Sequence, residues 1–316
     1  MYRVGVDLGG TNIAVGVVDD NFNIIGRGKM KTNAPRDAKL IFDDIATAVK
    51  MAVEDANLRL FDIESIGIGT PGSVNKELGM IDYANNLAFD HVPAKALLFA
   101  SLGIDKIYID NDANCAALGE ALAGAGKDKD SFVAITLGTG VGSGIVIDGK
   151  LVNGCNYAAG EMGHMVIAMD GEQCNCGRRG CWERYASATA LIAQTKDAMK
   201  KDVDSIMWDL VDNNIARVSG RTAFDAMRKG DATAKSVVDN YIRYIAVGLV
   251  NVINALQPDV ICIGGGISHE KDNLLVPLRK HVGRGRYSIY SEKQTELCCA
   301  VLGNDAGIIG AALLDK

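Results

Sequence analysis

The chain has 316 residues, of which 48% are hydrophobic and 23% charged, and its formal net charge is −6. These proportions are typical of globular proteins and exclude a disordered or fibrous chain. The acidic balance argues against a nucleic-acid partner, which requires a basic surface. The length predicts about two domains. No apolar run reaches the ~20 residues that span a membrane, and no export signal precedes the first strand, so we expect a cytoplasmic protein without a membrane partner.

The first third of the chain predicts strands interrupted by two helices. A glycine turn at residues 9–11 joins two segments of alternating hydrophobicity, which indicates a β-hairpin. Apolar residues at helical spacing follow it. Asn111 or Asp112 is the expected N-cap of the second helix. The predicted strands are 2–7, 13–18, 24–29, 63–68 and 106–109, and the predicted helices are 36–57 and 113–123.

The strand–turn–strand pattern then recurs. Residues 7–19 align without a gap with residues 136–148, and this repeat predicts two related halves. The remainder is mainly helical, apart from a buried strand that leads into three glycines. The predicted strands are 133–137, 144–148 and 260–263, and the predicted helices are 182–200, 203–214, 221–229, 231–257, 270–281 and 304–314.

The glycine turns match neither common nucleotide-binding fingerprint. Neither the P-loop motif nor the dinucleotide motif G-x-G-x-x-G is complete. A glycine turn nevertheless exposes successive backbone N–H groups that can hold phosphate oxygens. Asp7, which ends the first strand, could hold Mg²⁺ through water. The candidate phosphate-binding residues are Gly9, Gly10, Thr11, Asn12, Gly138, Thr139 and Gly140.

These turns resemble those of a known superfamily. The segments Asp7–Asn12 and Leu137–Gly142 are similar to the two phosphate loops of the actin/hexokinase/Hsp70 superfamily, and Gly264, Gly265 and Gly266 resemble its adenosine loop. The resemblance implies an α/β fold of two ribonuclease-H-like domains with ATP and Mg²⁺ in the cleft between them. The expected small domain comprises residues 1–111 and 303–316, and the expected large domain comprises residues 112–302.

Three cysteines lie within eight residues, at Cys174, Cys176 and Cys181, and His164 lies ten residues before the first of them. Three thiolates and one imidazole form a usual tetrahedral zinc set. The sequence therefore predicts a structural Zn²⁺ site in a loop over about residues 164–183.

The residues of the metal motif resemble those of one particular family within this superfamily. Glu161-x-x-His164, the cysteine loop and Glu183 together resemble the ROK family (repressors, open reading frames and kinases), and the similarity extends to the segment 302–307. Within that family the match is to sugar kinases of the glucokinase type. Such a protein phosphorylates the 6-hydroxyl of glucose with ATP, and the resemblance also implies a homodimer or homotetramer.

The resemblance assigns roles to individual residues. Asp112 is expected to be the general base, with a pKa lowered by the helix N-terminus at which it lies. Asn111 is expected to bind a ring hydroxyl, and His164 to contact zinc with one ring nitrogen and sugar with the other. The further expected sugar contacts are Glu161, Glu183, Gly72 and Asn86.

Several alternatives stay open at this point. The same machinery would serve a kinase for N-acetylglucosamine, N-acetylmannosamine, mannose or allose, and the phosphoryl donor could be ATP, ADP or polyphosphate. A sugar-responsive regulator is a distant alternative, because its DNA-binding segment would have to precede a strand that already begins at residue 2. A chaperone-type ATPase is disfavoured by the sugar-site residues.

Overall fold

The computed structural model describes residues 1–316. Strands and helices occur along the whole chain. The strands are β1 Tyr2–Leu8, β2 Asn12–Val18, β3 Ile24–Lys31, β4 Ile63–Thr70, β5 Ser73–Asn75, β6 Met80–Ala84, β7 Phe89–Val92, β8 Ile107–Asn111, β9 Ser131–Leu137, β10 Val141–Ile147, β11 Lys150–Leu151, β12 Val260–Gly264 and β13 Glu296–Cys299. The helices are α1 Ala38–Asp55, α2 Ala94–Leu102, α3 Asp112–Ala123, α4 Glu183–Ala186, α5 Ala188–Lys201, α6 Met207–Leu210, α7 Thr222–Arg228, α8 Ala232–Leu256, α9 Asp272–Gly285 and α10 Ala306–Ala312.

The chain forms two compact units. The first comprises residues 1–134, 144–160 and 301–316, and the second comprises residues 135–143 and 161–300. The first unit thus includes α3, which the sequence assigned to the large domain. The predicted boundaries after residues 111 and 302 stay a prediction.

The first sheet has the order β3-β2-β1-β4-β8. Its first three strands are antiparallel neighbours, whereas β4 is parallel to β1 and β8 is parallel to β4. Helix α10 lies directly on this sheet, because a Cβ on Gly5 or Gly67 would stand 1.8 or 1.7 Å from a carbonyl oxygen of the helix. The hairpin predicted around the first glycine turn is confirmed.

The second sheet has the order β11-β10-β9-β12-β13, so it repeats the arrangement of the first sheet. In both sheets the first strand of the glycine hairpin is central, and its partner across the turn lies on one side. Strand β12 is buried along its whole length, as its unbroken apolar run predicts. The internal repeat predicted from the sequence therefore corresponds to a repeat of topology.

Several predicted elements differ from the observed ones. The predicted helix 182–200 is interrupted at Ser187, whose hydroxyl accepts a hydrogen bond from the N–H of Ala190 and so begins a new helix, α5. The predicted helix 203–214 contains only the single turn of α6. A three-stranded antiparallel sheet of β5, β6 and β7, helix α2 and strand β13 were not predicted. None of the helices combines the length and apolar character needed to cross a bilayer.

Candidate active site

The first glycine turn connects β1 to β2. The N–H of Gly9 donates to the carbonyl of Asn12 over 2.9 Å, and Thr32 Oγ1 donates to the carbonyl of Gly9 over 2.6 Å. Lys31 Nζ donates to Asn12 Oδ1 over 2.9 Å. A cavity of about 750 Å³ lies against this turn, and its walls include Asp7, Gly9, Gly10, Thr11 and Asn12 together with Arg27 and Lys29.

Asp7 is a partly buried carboxylate at the end of β1. Burial and, secondarily, the negative charge of Asp112 raise the pKa of Asp7 to about 6. Two neighbouring carboxylates, both partly desolvated, form an environment that a divalent cation would neutralise. The residues at this position therefore fit the Mg²⁺ role that the sequence predicts for Asp7.

Asn111 and Asp112 lie where β8 ends and α3 begins. Asn111 is the N-cap, because its Oδ1 accepts from the N–H of Ala113 over 2.8 Å, and its Nδ2 donates to the carbonyl of Gly72 over 3.1 Å. Asp112 Oδ1 accepts from the same N–H over 2.8 Å. Asp112 is exposed as a residue, although neighbouring protein atoms partly desolvate its carboxylate.

The predicted direction of the Asp112 pKa is wrong. Partial desolvation raises the pKa of Asp112 above its ordinary value, although hydrogen bonds from the backbone N–H groups of Ala113 and of Asp112 itself act in the opposite direction. The helix N-terminus does favour the charged carboxylate, as expected. The surrounding protein atoms, which sequence spacing does not reveal, outweigh that contribution.

The first unit brings the remaining predicted contacts of its part of the chain to the same region. Asn86 lies beside the first glycine turn, since a Cβ on Gly10 would be 3.6 Å from Asn86 Cβ. Gly72 has a φ of +94°, and a Cβ there would stand 2.0 Å from the carbonyl oxygen of Tyr83. Only glycine therefore fits at the position that receives the Asn111 amide.

The second glycine turn is in the second unit. The N–H of Gly138 donates to the carbonyl of Gly140 over 3.0 Å. Glu183 Oε2 accepts from the N–H of Val141 over 3.0 Å, and Thr189 Oγ1 donates to the carbonyl of Thr139 over 2.8 Å. The structure thus places Glu183, predicted as a sugar contact, directly against this loop.

The third glycine segment lies against the same loop. Gly265 has a φ of +81°, and a Cβ there would be 2.5 Å from the carbonyl oxygen of Leu137, the residue before the second turn. Gly264 is buried at the end of β12, whereas Gly265 and Gly266 are exposed. The second unit thus brings together two of the three predicted nucleotide segments.

The four predicted metal ligands form one cluster in the second unit. The ligand atoms of His164, Cys174, Cys176 and Cys181 all lie within 4.8 Å of one another. His164 Nδ1 is 3.7 Å from Cys174 Sγ, and Cys176 Sγ is 3.6 Å from Cys181 Sγ. A tetrahedral Zn²⁺ with Zn–S bonds of about 2.3 Å requires sulfur atoms about 3.8 Å apart. The donor set and its spacing therefore fit zinc.

Local backbone geometry forms this cluster. Gly177 and Gly180 have φ values of +87° and +73°, and Gln173 pairs with Arg179 in an antiparallel bridge, so the loop folds back on itself between its cysteines. A Cβ on Gly180 would stand 1.6 Å from the carbonyl oxygen of Ala168. Glu161 is exposed and begins the short turn that ends at His164.

Two residues with close contacts to the predicted site were not singled out from the sequence. Asp110 is fully buried and accepts hydrogen bonds from the backbone N–H of Asn111 and from Asn114, and it forms an ion pair with Lys76. The run Asp110-Asn111-Asp112 was a visible signal for Asp110, because a carboxylate at the end of a buried strand needs a partner. No sequence signal links Lys76 to it.

The family scan matches residues 3–316 to the family described as "ROK family". The chain belongs to the ROK family. A glucokinase from Halalkalibacterium halodurans is 37% identical over 321 residues, covering 100% of this chain and 95% of that protein. An N-acetyl-D-glucosamine kinase from Citrobacter koseri is 33% identical over 280 residues, covering 84% of each chain.

Solved structures agree with the family assignment. The structure of a ROK family glucokinase from Streptomyces griseus, in complex with glucose and AMPPNP, is 35% identical, and the match covers 99% of both chains with a TM-score of 0.80. The present chain shares the actin-like ATPase fold of these ROK sugar kinases, as the resemblance of its glycine turns implies. The fold class and the family resemblance predicted from the sequence are confirmed.

Proposed function

We propose that the protein is an ATP-dependent glucose kinase that forms glucose 6-phosphate. The observation that carries this proposal is full-length similarity to glucokinases, including one solved with glucose and an ATP analogue. At the N-terminus of α3 the chain supplies the Asp112 carboxylate and the adjacent Asn111 amide. A carboxylate can accept the proton of a reacting sugar hydroxyl, and an amide can hydrogen-bond to another hydroxyl.

In the proposed reaction, Asp112 accepts the proton of the sugar 6-hydroxyl as that oxygen attacks the γ-phosphorus of ATP and the bond to the β-phosphate oxygen breaks. The raised pKa, caused by burial, makes the Asp112 carboxylate a better proton acceptor than an ordinary aspartate carboxylate. Glucose would be held by Gly72, Asn86 and Asn111, and by Glu161, His164 and Glu183.

For the nucleotide, we propose that Gly9, Gly10, Thr11 and Asn12, and Gly138, Thr139 and Gly140, contact the phosphates. Gly264, Gly265 and Gly266 would contact the adenosine. Mg²⁺, when bound, would neutralise the phosphate charge near Asp7, whose pKa is raised by burial and by the charge of Asp112.

We further propose that His164, Cys174, Cys176 and Cys181 hold a structural Zn²⁺. The Nδ1 atom of His164 faces the Cys174 sulfur, which leaves Nε2 available for a sugar hydroxyl. Metal binding would then fix the orientation of a substrate ligand. We also propose a cytoplasmic location, which fits the lack of disulfide bonds among the eight cysteines. A homodimer or homotetramer remains part of the proposal.

The decisive variant is Asp112→Asn, with Asp105→Asn as the control because Asp105 is exposed and distant from the glycine turns in sequence. We expect Asp112→Asn to lose phosphoryl transfer by at least about 10²-fold, the lower range for general-base catalysis, while glucose dissociation changes little. Calorimetric binding and coupled ADP release measure the two quantities. Retained turnover in Asp112→Asn would contradict the assigned base.

Kinases for acetylated sugars are the second candidate, and the similarity to an N-acetyl-D-glucosamine kinase favours keeping them in the assay. The same base, phosphate loops and metal cluster would serve either substrate. A preference for N-acetylglucosamine over glucose would replace the substrate and leave the proposed chemistry unchanged.

A further inference from the structure

Lys76 is the cation in a group of carboxylates around the start of α3. Its Nζ forms an ion pair with Asp110, which is fully buried, and also donates to Asn153 Oδ1 over 2.6 Å. The Lys76 side chain itself is only 22% exposed. A partly buried ammonium with two polar partners of this kind is held in place far more firmly than a surface lysine.

Asp110 connects Lys76 to the proposed catalytic segment at the start of α3. Its Oδ1 accepts from the backbone N–H of Asn111 over 2.7 Å and from Asn114 Nδ2 over 2.9 Å. The Asp110 carboxylate thus hydrogen-bonds to α3 both at its N-cap and in its first turn, on either side of Asp112. Any movement of Asp110 would change the direction in which the Asp112 carboxylate projects.

The charges in this region are closely coupled. Four charged groups act on the buried thiol of Cys115, namely Asp7, Asp110, Asp112 and Lys76. Burial is the main cause of the high pKa of that thiol. The carboxylates of Asp110, Asp112 and Asp7 raise the pKa further, whereas Lys76 lowers it. Lys76 therefore offsets part of the negative charge that three carboxylates place at one end of the first sheet.

We propose that Lys76 is a positioning residue for the transfer reaction, because it compensates the buried Asp110 carboxylate and ties the end of β8 to the segment at Asn153. It acts through Asp110 on Asn111 and Asp112. The inference rests on the proposed function, since it takes Asp112 as the base.

The test is a double-mutant cycle on Lys76→Met and Asp110→Asn, with Lys106→Met as the control. Lys106 precedes the other end of β8 and forms an exposed pair with Glu64, so its replacement removes the same charge at a site that does not contact α3. The readouts are kcat and KM for glucose, and the acid limb of the pH profile of kcat/KM, which reports ionisations of the free enzyme.

The two single variants should move the acid limb in opposite directions. Lys76→Met leaves Asp110 uncompensated, so the limb should move to higher pH by about one unit. Asp110→Asn leaves the ammonium uncompensated, so the limb should move to lower pH. The double variant should return it towards the wild-type position. We expect kcat to fall about tenfold in Lys76→Met with little change in KM.

A purely structural role would lower the amount of active enzyme without moving the limb, and that result would overturn the inference. Should Lys76→Met fail to fold, the comparison of Asp110→Asn with the double variant still decides the matter, because adding Lys76→Met must then move the limb back upward. Wild-type turnover that depends on glucose and on Asp112, combined with no shift in any Lys76 or Asp110 variant, would reject this inference and leave the proposed function standing.

Discussion

Replacement of Asp7 by asparagine is expected to stabilise the fold at neutral pH while impairing the reaction. Burial and the charge of Asp112 raise the pKa of Asp7 to about 6. An ordinary aspartate has a pKa of about 3.9, so ionisation of Asp7 is harder in the folded state by about two units, or about 3 kcal/mol at neutral pH. An asparagine amide also loses water on burial, so the expected gain is about 1–3 kcal/mol.

The sign follows from proton binding. Between about pH 4 and pH 6 the folded state keeps a proton on Asp7 that the unfolded chain has released, so this residue makes the free energy of unfolding fall as the pH rises. Below about pH 4 both states are protonated and the contribution disappears. Asp7→Asn removes this dependence, and its advantage over the wild type should therefore grow with pH and level off above pH 6.

Urea unfolding of the ligand-free protein at pH 4.5, 6 and 7.5 measures this difference. Asp105→Asn is the control, because its exposed carboxylate should give a difference near zero throughout. The same Asp7→Asn preparation should lose at least about tenfold in kcat/KM for Mg-ATP, because it loses the carboxylate proposed to hold Mg²⁺. A variant less stable than the wild type at pH 7.5, or a stability difference that ignores pH, would refute the argument.

Three further predictions address the metal, the nucleotide loop and the base. Cys176→Ser should abolish stoichiometric zinc measured by elemental analysis, whereas the exposed Cys155→Ser should keep it; full zinc in the first variant would exclude that ligand. Gly265→Ala should raise the KM for ATP at least about tenfold, because φ is +81° and the new methyl would meet a backbone carbonyl, while Gly283→Ala, which meets nothing, should not. Equal KM values for ATP in these two variants would contradict the assignment of residues 264–266 to the nucleotide site. The profile of kcat/KM for glucose at saturating Mg-ATP, with the proposed Mg²⁺ at Asp7, should show an acid limb above the pKa of an ordinary aspartate because of Asp112; a limb at or below it would contradict the raised value.

The sequence predicts those parts of the fold that local patterns determine. The hairpin of β1 and β2, the helix α1 and the buried strand β12 have clear periodicity and clear turns, and all three are observed. The repeat of the glycine hairpin anticipates two sheets with the same strand order. The segment 73–92 was missed because its strands are three to five residues long, too short for alternation to be recognised.

In the candidate site, too, the features set by local sequence patterns are predictable and the contacts between distant segments are not. The metal cluster is visible in the sequence because its cysteines lie close together in one loop, and the structure brings His164 to them. The raised pKa of Asp112 and the pairing of Lys76 with Asp110 are not visible, because both depend on atoms brought together from separate segments. Sequence motifs predict the candidate residues, whereas the shifts of their pKa values depend on burial in the folded chain.

Transfer of a phosphoryl group from ATP to glucose requires that the release of ADP depend on the sugar. ADP release from Mg-ATP is therefore measured with glucose, mannose, allose, N-acetylglucosamine, N-acetylmannosamine and no sugar, on zinc-loaded protein. We expect turnover that requires a sugar and is fastest with glucose at limiting concentration. ADP release that is the same with and without every sugar would contradict it.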